Sequence, residues 1–179
     1  MSDGMFLETD RLVLRAFTES DVDNLVELDS DPEVMRWLSG GRPTSRAEIE
    51  RRVLPRFLGG GYWAAEEKPH GVFLGWFELC SRAGDRPGEV ELGYRLRRSA
   101  WGHGYATEGA RALVRKAFTE LGVWRIYAQT MTVNQRSRRV LEKAGLRHVR
   151  TFHQDWPEPI EGSERGEVEY ALERINWTP

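Results

Sequence analysis

Cysteine occurs once in the 179 residues, at Cys80, which excludes an intrachain disulfide and any cysteine-cluster metal site. It lies in an apolar, strand-like run, where a small buried thiol is the ordinary reading, so it ranks low as a nucleophile. Lysine is almost as scarce. Lys68, Lys116 and Lys143 are the only three, and arginine carries the rest of the positive charge. Arginine suits bidentate pairing with phosphate or carboxylate, although composition bias accounts for the preference equally well. Long apolar runs are missing too: Val72 to Phe77 is typical of the longest, far short of the roughly 20 residues that span a bilayer. The opening Met1-Ser2-Asp3-Gly4 has neither a basic n-region nor an apolar signal core, so a cytoplasmic location is expected. A formal net charge of -2 gives no cation excess for general nucleic-acid binding, which rests on neutralising phosphates. His70, His103, His148 and His153 have no helical zinc spacing, and no metal is expected.

What the chain does contain is a continuous globular pattern. Hydrophobic residues make up 40% and no composition break divides the chain, which reads as one domain over residues 1–179. Leu12 and Leu14 alternate with arginine and valine as in a half-buried strand. Thr18 with Asp21, and Ser45 with Glu48, have capping-box spacing ahead of helices, and Asp31-Pro32 restarts a helical turn between them. The early helices either wall a pocket or cover the core. From Tyr62 the texture changes to strands: Tyr62–Glu67, Val72–Cys80 and Glu89–Leu96, the last two separated by a Gly84-to-Gly88 turn. Ala110, Leu113, Val114, Ala117, Phe118 and Leu121 recur at helical spacing and stop at Gly122. A strand at Arg125–Met131, a helix at Asn134–Ala144 closed by Gly145, and strands at Arg147–Gln154 and Glu167–Leu172 complete a mixed α/β chain.

The chemistry concentrates where the Glu89–Leu96 strand runs through a short polar loop into Trp101-Gly102-His103-Gly104-Tyr105-Ala106-Thr107. Glycines there let backbone N–H groups approach a ligand, and a helix N-terminus adds free donors and partial positive charge. A pyrophosphate fits such a cradle, while a plain tight turn is the competing reading of a lone Gly-x-Gly. A dinucleotide fingerprint needs a third glycine where Thr107 stands. A nucleoside-triphosphate loop needs Gly-Lys followed by Ser or Thr, which the chain lacks. Further on, Asn134 is placed as an N-cap with Ser137 on the first helical turn. Capping alone, and a solvated helix position, are the alternatives for these two.

Gly93-Tyr94, the Trp101-to-Glu108 stretch and Asn134 to Gly145 together resemble the GNAT N-acetyltransferase superfamily. Glu8 to Arg15 and Asp31 to Met35 are similar to its RimJ/RimL-type branch, so the resemblance spans nearly the whole chain. It implies an α/β (α+β) fold. The central sheet would be mixed and mostly antiparallel, with about six to seven strands, splayed in the middle and flanked by about four helices. It also implies acetyl-CoA as co-substrate and an amine as acceptor. The backbone near Leu96 and Arg97 would pair with the pantetheine arm. Gly102, His103, Gly104, Tyr105, Ala106 and Thr107 would take the pyrophosphate, and Asn134 and Ser137 would lie on the cofactor side. Trp101 stands where the superfamily usually has Gln or Arg, which removes one side-chain phosphate donor. A homodimer is compatible with the superfamily, though no periodicity marks an interface.

Attack of an amine on a thioester requires a base, a polarised carbonyl and an acid for the departing thiolate. Glu91, on the strand that would present the thioester, is the candidate base, acting through a water. A surface carboxylate is its bland alternative. Ser137 is the candidate acid or positioning group for the thiolate. The 156–166 stretch is a candidate edge of the acceptor site or a plain crossover, and Glu167 and Glu169 are expected to divide between the acceptor amine and water. Acetyl transfer to a primary amine, on a protein N-terminus or a small molecule, is the leading expectation. A catalytically weak acyl-CoA-binding regulatory module, or a structural assembly partner, would show the same motifs without turnover.

Overall fold

The computed structural model describes residues 4–179; the acidic residues 1–3 lie outside the described residues. Eight strands form, β1 (Met5–Glu8), β2 (Leu12–Ala16), β3 (Tyr62–Glu67), β4 (Val72–Cys80), β5 (Glu89–Leu96), β6 (Arg125–Met131), β7 (Arg147–Phe152) and β8 (Glu167–Glu173). Their order in the sheet is β1-β2-β3-β4-β5-β6-β8-β7. The β5–β6 pair is parallel, whereas β1–β2, β2–β3, β3–β4, β6–β8 and β7–β8 are antiparallel. The sheet is thus mixed and mostly antiparallel as expected, with one strand more than expected. The addition is β1, a four-residue edge whose Met5 and Glu8 are exposed, so it carries little of the burial periodicity by which strands are recognised. β5 pairs with β6 only through Glu89, Val90 and Glu91, opposite Arg125, Ile126 and Tyr127, and then runs on to Leu96 without that ladder.

Residues up to Glu78 together with Tyr94–Gly109 form one compact unit; Leu79–Gly93 with Ala110–Pro179 form the other. In the first, Leu12 and Leu14 are wholly buried, as the alternation required. Asp21 accepts a hydrogen bond from the Thr18 N–H at 2.9 Å and opens α1 (Val22–Ser30). The Asp31 carboxylate caps α2 (Pro32–Ser39) through the Glu33 N–H. Ser45 Oγ accepts the Glu48 N–H at 3.2 Å and starts α3 (Arg46–Glu48). α3 passes through a π-helical turn, Ile49–Val53, into α4 (Leu54–Leu58). Pro55 accounts for the widened turn: it has no N–H to donate and its ring crowds the carbonyl four residues back. With the α3–α4 run taken as one, the described residues form five helical segments where about four were expected. Phe57 then stacks on Tyr62, centroids 4.2 Å apart, and meets Trp76 edge-on at 5.2 Å.

In the second unit, Ala110, Leu113, Val114, Ala117 and Phe118 of α5 (Tyr105–Thr119) are buried, and the chain turns at Gly122. α6 (Gln135–Lys143) carries an Asn134 cap, and Gly145 at φ 97° closes it. β7 stops at Phe152, short of Gln154, because the Gln154 N–H goes to the Glu167 carboxylate instead of a ladder. Glu167 and Glu169 correct an expectation. Residues two apart on a strand share a face, and both are buried, at 4% and 7% exposure, so neither is turned to water. No helix of the described residues is long and apolar enough to cross a membrane.

Within the first unit, α5 begins against β4 with no room to spare. A Cβ at Gly109 would lie 2.3 Å from Phe77 Cζ, and the Phe77 side chain is fully buried. Gly109→Ala gains up to ~1 kcal/mol in helix propensity but overpacks the contact by about 1–3 kcal/mol, so a net loss is expected in urea unfolding. Phe77→Leu in the same chain should recover most of it. A Gly109→Ala chain more stable than the parent would refute this account of the contact.

Candidate active site

The end of β5 and the start of α5 are joined by a tight connection. After Leu96, a 3-10 turn at Arg98–Ala100 leads into residues 101–104. The Trp101 indole N–H donates to the Leu96 carbonyl at 2.9 Å, closing the loop back on the strand. Trp101 therefore has a structural task where a polar residue would have offered a phosphate donor. Gly102 and Gly104 have φ of 77° and 84°, conformations that side chains resist. A Cβ on Gly102 would meet no protein atom within 4 Å, so backbone conformation, not crowding within the chain, calls for glycine there. Glu108 N donates to Gly104 O at 3.0 Å; the N–H groups ahead of Glu108 precede the helical ladder and are the usual donors for an anion. His103 and both glycines are exposed, and Ala106 and Thr107 half-buried. The residues present fit a phosphate group.

Two of the candidates are already engaged. The Arg97 N–H donates to Leu74 O at 2.7 Å, and its guanidinium pairs with Glu27 at 3.0 Å. The expectation for Arg97 narrows accordingly: its N–H is taken, and its carbonyl, which accepts the Ala100 N–H at 2.9 Å, keeps one lone pair for a pantetheine arm. The Tyr105 hydroxyl donates to Glu67, a bond that raises the phenol pKa.

Arg11 and Glu108 are residues beside the turn to which motif reading gave no role. Glu108 brings a negative charge into the first turn of the helix that would hold phosphates. Its carboxylate accepts from Thr9 Oγ1 at 2.6 Å, from the Arg11 N–H at 3.0 Å and from Arg11 Nε at 2.7 Å. Partial burial works against the charged form, but these bonds outweigh it and hold the pKa below the ordinary carboxylate value. Arg11 Nη1 also donates to His103 O at 2.9 Å, and the guanidinium lies 4.4 Å from the Tyr105 ring centre. A single arginine thus neutralises the acid and fixes the turn. The local sequence carries no signal for it, since the partners are 97 residues apart.

The second unit holds Glu91, Asn134 and Ser137. Glu91 Oε2 accepts from Arg82 Nε at 2.6 Å. Nearby, the Tyr127 hydroxyl donates to Asp85 at 3.1 Å; burial first, then the negative charge of Glu91 and the bond to Asp85, push this phenol up. Asn134 Oδ1 accepts the Ser137 N–H at 3.2 Å, the capping bond anticipated for it. α6 is held by Arg138, which donates to the Tyr170 hydroxyl at 3.1 Å and to Thr132 O at 3.1 Å, while Tyr170 donates to Glu142 at 2.9 Å. Glu167 fixes the 156–166 stretch at its start, accepting from Trp156 Nε1 at 2.7 Å. Glu169 is clamped by Arg125 and Arg150 at 2.9 and 2.8 Å.

The early helices wall a cavity of about 500 Å³ in the first unit, lined by Met35, Phe57 and Trp76 and by five charged side chains. One of these is Arg95, the residue that precedes Leu96.

Residues 11–147 match the family model described as the acetyltransferase (GNAT) domain. The chain belongs to the GNAT acetyltransferase family. It is 36% identical over 183 residues to the FsC-acetyl coenzyme A-N(2)-transacetylase of Aspergillus fumigatus, covering 96% of this chain and 77% of that protein. Among solved structures, a GNAT-family acetyltransferase from Bacillus anthracis aligns with a TM-score of 0.82 at 25% identity, over 96% and 99% of the two chains. AAC(6')-Ib, in complex with paromomycin and acetyl-CoA, aligns with a TM-score of 0.74 at 26% identity, over 93% and 96%. The GNAT fold accounts for the mixed eight-stranded sheet and for the parallel ladder that ends at Glu91.

Asp21, Glu108 and Glu169 all have pKa values held below the ordinary carboxylate range: partial burial opposes this in each, and the arginine bonds of Arg15, Arg11 and of Arg150 with Arg125 prevail. Such groups add stability that is complete above the unfolded-state pKa and is lost as pH falls through the lowered value. The melting temperature should therefore fall steadily below about pH 4.5, the side of the unfolded carboxylate range. In Arg11→Met the fall should be shallower and the neutral-pH melting temperature lower, since Glu108 loses its cation. Parallel melting curves for the two proteins would refute this role for Arg11.

Proposed function

We propose that the chain transfers an acetyl group from acetyl-CoA to a primary amine, and that it belongs to the RimJ/RimL-type branch acting in the cytoplasm as a single domain. The observation that carries the reading is the turn between β5 and α5, with its two positive-φ glycines, its N–H groups ahead of the ladder, and an acid neutralised by Arg11. AAC(6')-Ib, of similar fold, was solved with acetyl-CoA and an aminoglycoside, and the Aspergillus relative is named for transfer to a nitrogen. Both support the reading.

Bound acetyl-CoA would supply an activated acyl group on a thiol that can leave. The N–H groups of residues 102–107 would hold the pyrophosphate, and the Leu96 and Arg97 carbonyls, which already accept from the Trp101 indole and the Ala100 N–H, would offer their second lone pairs to the pantetheine amides. Asn134 fixes the first turn of α6, so that Ser137 presents its hydroxyl as acid or positioning group for the thiolate. Glu91 receives the amine's proton at its carboxylate through a water, with Arg82 fixing its orientation. The acceptor enters the 500 Å³ cavity beside Arg95.

Thiol release from acetyl-CoA against peptides with different N-termini, aminoglycosides, polyamines and amino acids tests the activity. Glu91→Gln should lower kcat by about 10²–10⁴, the range for a general base, with the dissociation constant for acetyl-CoA unchanged. An unaltered pH–rate profile would remove Glu91 from the mechanism. Gly104→Ala strains a positive φ and should weaken acetyl-CoA about tenfold, the equivalent of ~1.4 kcal/mol. Equal affinity in calorimetry would unseat the turn as the phosphate site. Tight acetyl-CoA binding with no thiol release on any amine would mark a binding module instead.

A further inference from the structure

The cavity's charge balance is positive. Two of its carboxylates are matched: Asp29, only 3% exposed, accepts from Arg95 Nη1 at 2.6 Å, and Glu48 faces Arg52 at 3.6 Å. The third arginine, Arg56, lies over aromatic rings, 5.4 Å from the centre of Phe57 and 5.3 Å from that of Tyr62. It has no matching acid in the cavity. Stacking occupies the face of a guanidinium and leaves its N–H edge to donate. Arg95 adds a second unmet donor, since its Nε is buried without a hydrogen-bond partner among the described residues. The Glu48–Arg52 pair is largely exposed and so is worth little; even with Glu48 counted in full, one positive charge remains.

From this we infer that the acceptor is an amine that also carries an anionic group, a carboxylate or a phosphate, received by Arg56 and the free edge of Arg95. The inference rests on the acetyltransfer reading for the amine and on the cavity for the anion. A polycation meets the opposite situation: each carboxylate is committed to an arginine, and the surplus charge repels it. The same field serves the chemistry. Like charge disfavours the protonated form of a bound amine, so a site rich in arginine favours the neutral nucleophile that attack requires. Met35, Phe57 and Trp76 give the remainder of the acceptor an apolar or aromatic surface.

Paired amines with and without the anionic group test this: L-phenylalanine against L-phenylalaninamide, 6-aminohexanoate against 6-aminohexanamide, O-phosphoethanolamine against ethanolamine, with spermidine and kanamycin as polycations. The anionic members should show kcat/KM higher by about tenfold or more, the scale of one charge-assisted hydrogen bond. The first two pairs and the third tell carboxylate from phosphate. In Arg56→Met the ratio should fall towards one through KM, while Arg56→Lys keeps part of it; acetyl-CoA affinity serves as the folding control for both. Neutral amides or spermidine used as well as the anionic amines would overturn the inference. If no amine releases thiol, the acetyltransfer reading fails and calorimetry with the same pairs decides the cavity. Binding confined to the anionic members and lost in Arg56→Met upholds the anion site; equal binding, or none, overturns it.

Discussion

A carboxylate in the first turn of a helix proposed to bind an anion is a contradiction unless something cancels it, and in this chain the cancellation ties together distant parts of the first unit. Glu108 receives three hydrogen bonds from Thr9 and Arg11, so the acid becomes the anchor that ties the β1–β2 connection to the start of α5. The Arg11 guanidinium reaches past it to the His103 carbonyl and sets the turn that the glycines allow. The charge left at the helix end is then that of the backbone donors, which is what a pyrophosphate requires. Fold and site share one ion pair. The same residues that join distant parts of the chain also determine the electrostatics of the turn.

The second unit solves a similar problem in its sheet. Buried Glu167 and Glu169 cost desolvation unless each is hydrogen bonded, and both are: one to Trp156 and Gln154, the other to Arg125, Arg150 and Gln129. These bonds turn acids into fasteners for the 156–166 stretch and for β7. Arg138 and Tyr170 do the same for α6, and with it for Asn134 and Ser137. Residues proposed for the chemistry thus stand on a frame of satisfied polar groups, where small displacements are expensive.

Features set by neighbours in sequence are legible in the sequence itself. The Asn134 cap, the Ser45 cap, the Gly102–Gly104 turn and the apolar face of α5 each depend on a few consecutive residues and follow from capping and periodicity. Features set by distant partners are not. Nothing near Arg11 points to Glu108, nothing near Gly109 announces Phe77, and the carboxylate of Glu169 looks like a surface charge until Arg125 and Arg150 close on it. Trp101 is instructive in between. Its departure from the superfamily pattern was visible, but its bond to Leu96 was not, because that depends on how tightly the 97–100 stretch curls. Glu167 and Glu169, two apart on β8, share one face by strand geometry alone, and the π-helical turn has a visible cause in Pro55.

That π-helical turn has a consequence for how such a chain could diverge. A π turn is an α-helix carrying one extra residue, and removing one residue between Ile49 and Val53 would restore regular winding. The extra residue is taken up within that one turn, so the deletion shortens the run without turning α4, and Phe57 would keep its stack on Tyr62 while Ser45 kept its cap. The length of this helical wall is therefore open to change by a single codon lost or gained, with the faces it turns to the cavity left as they are.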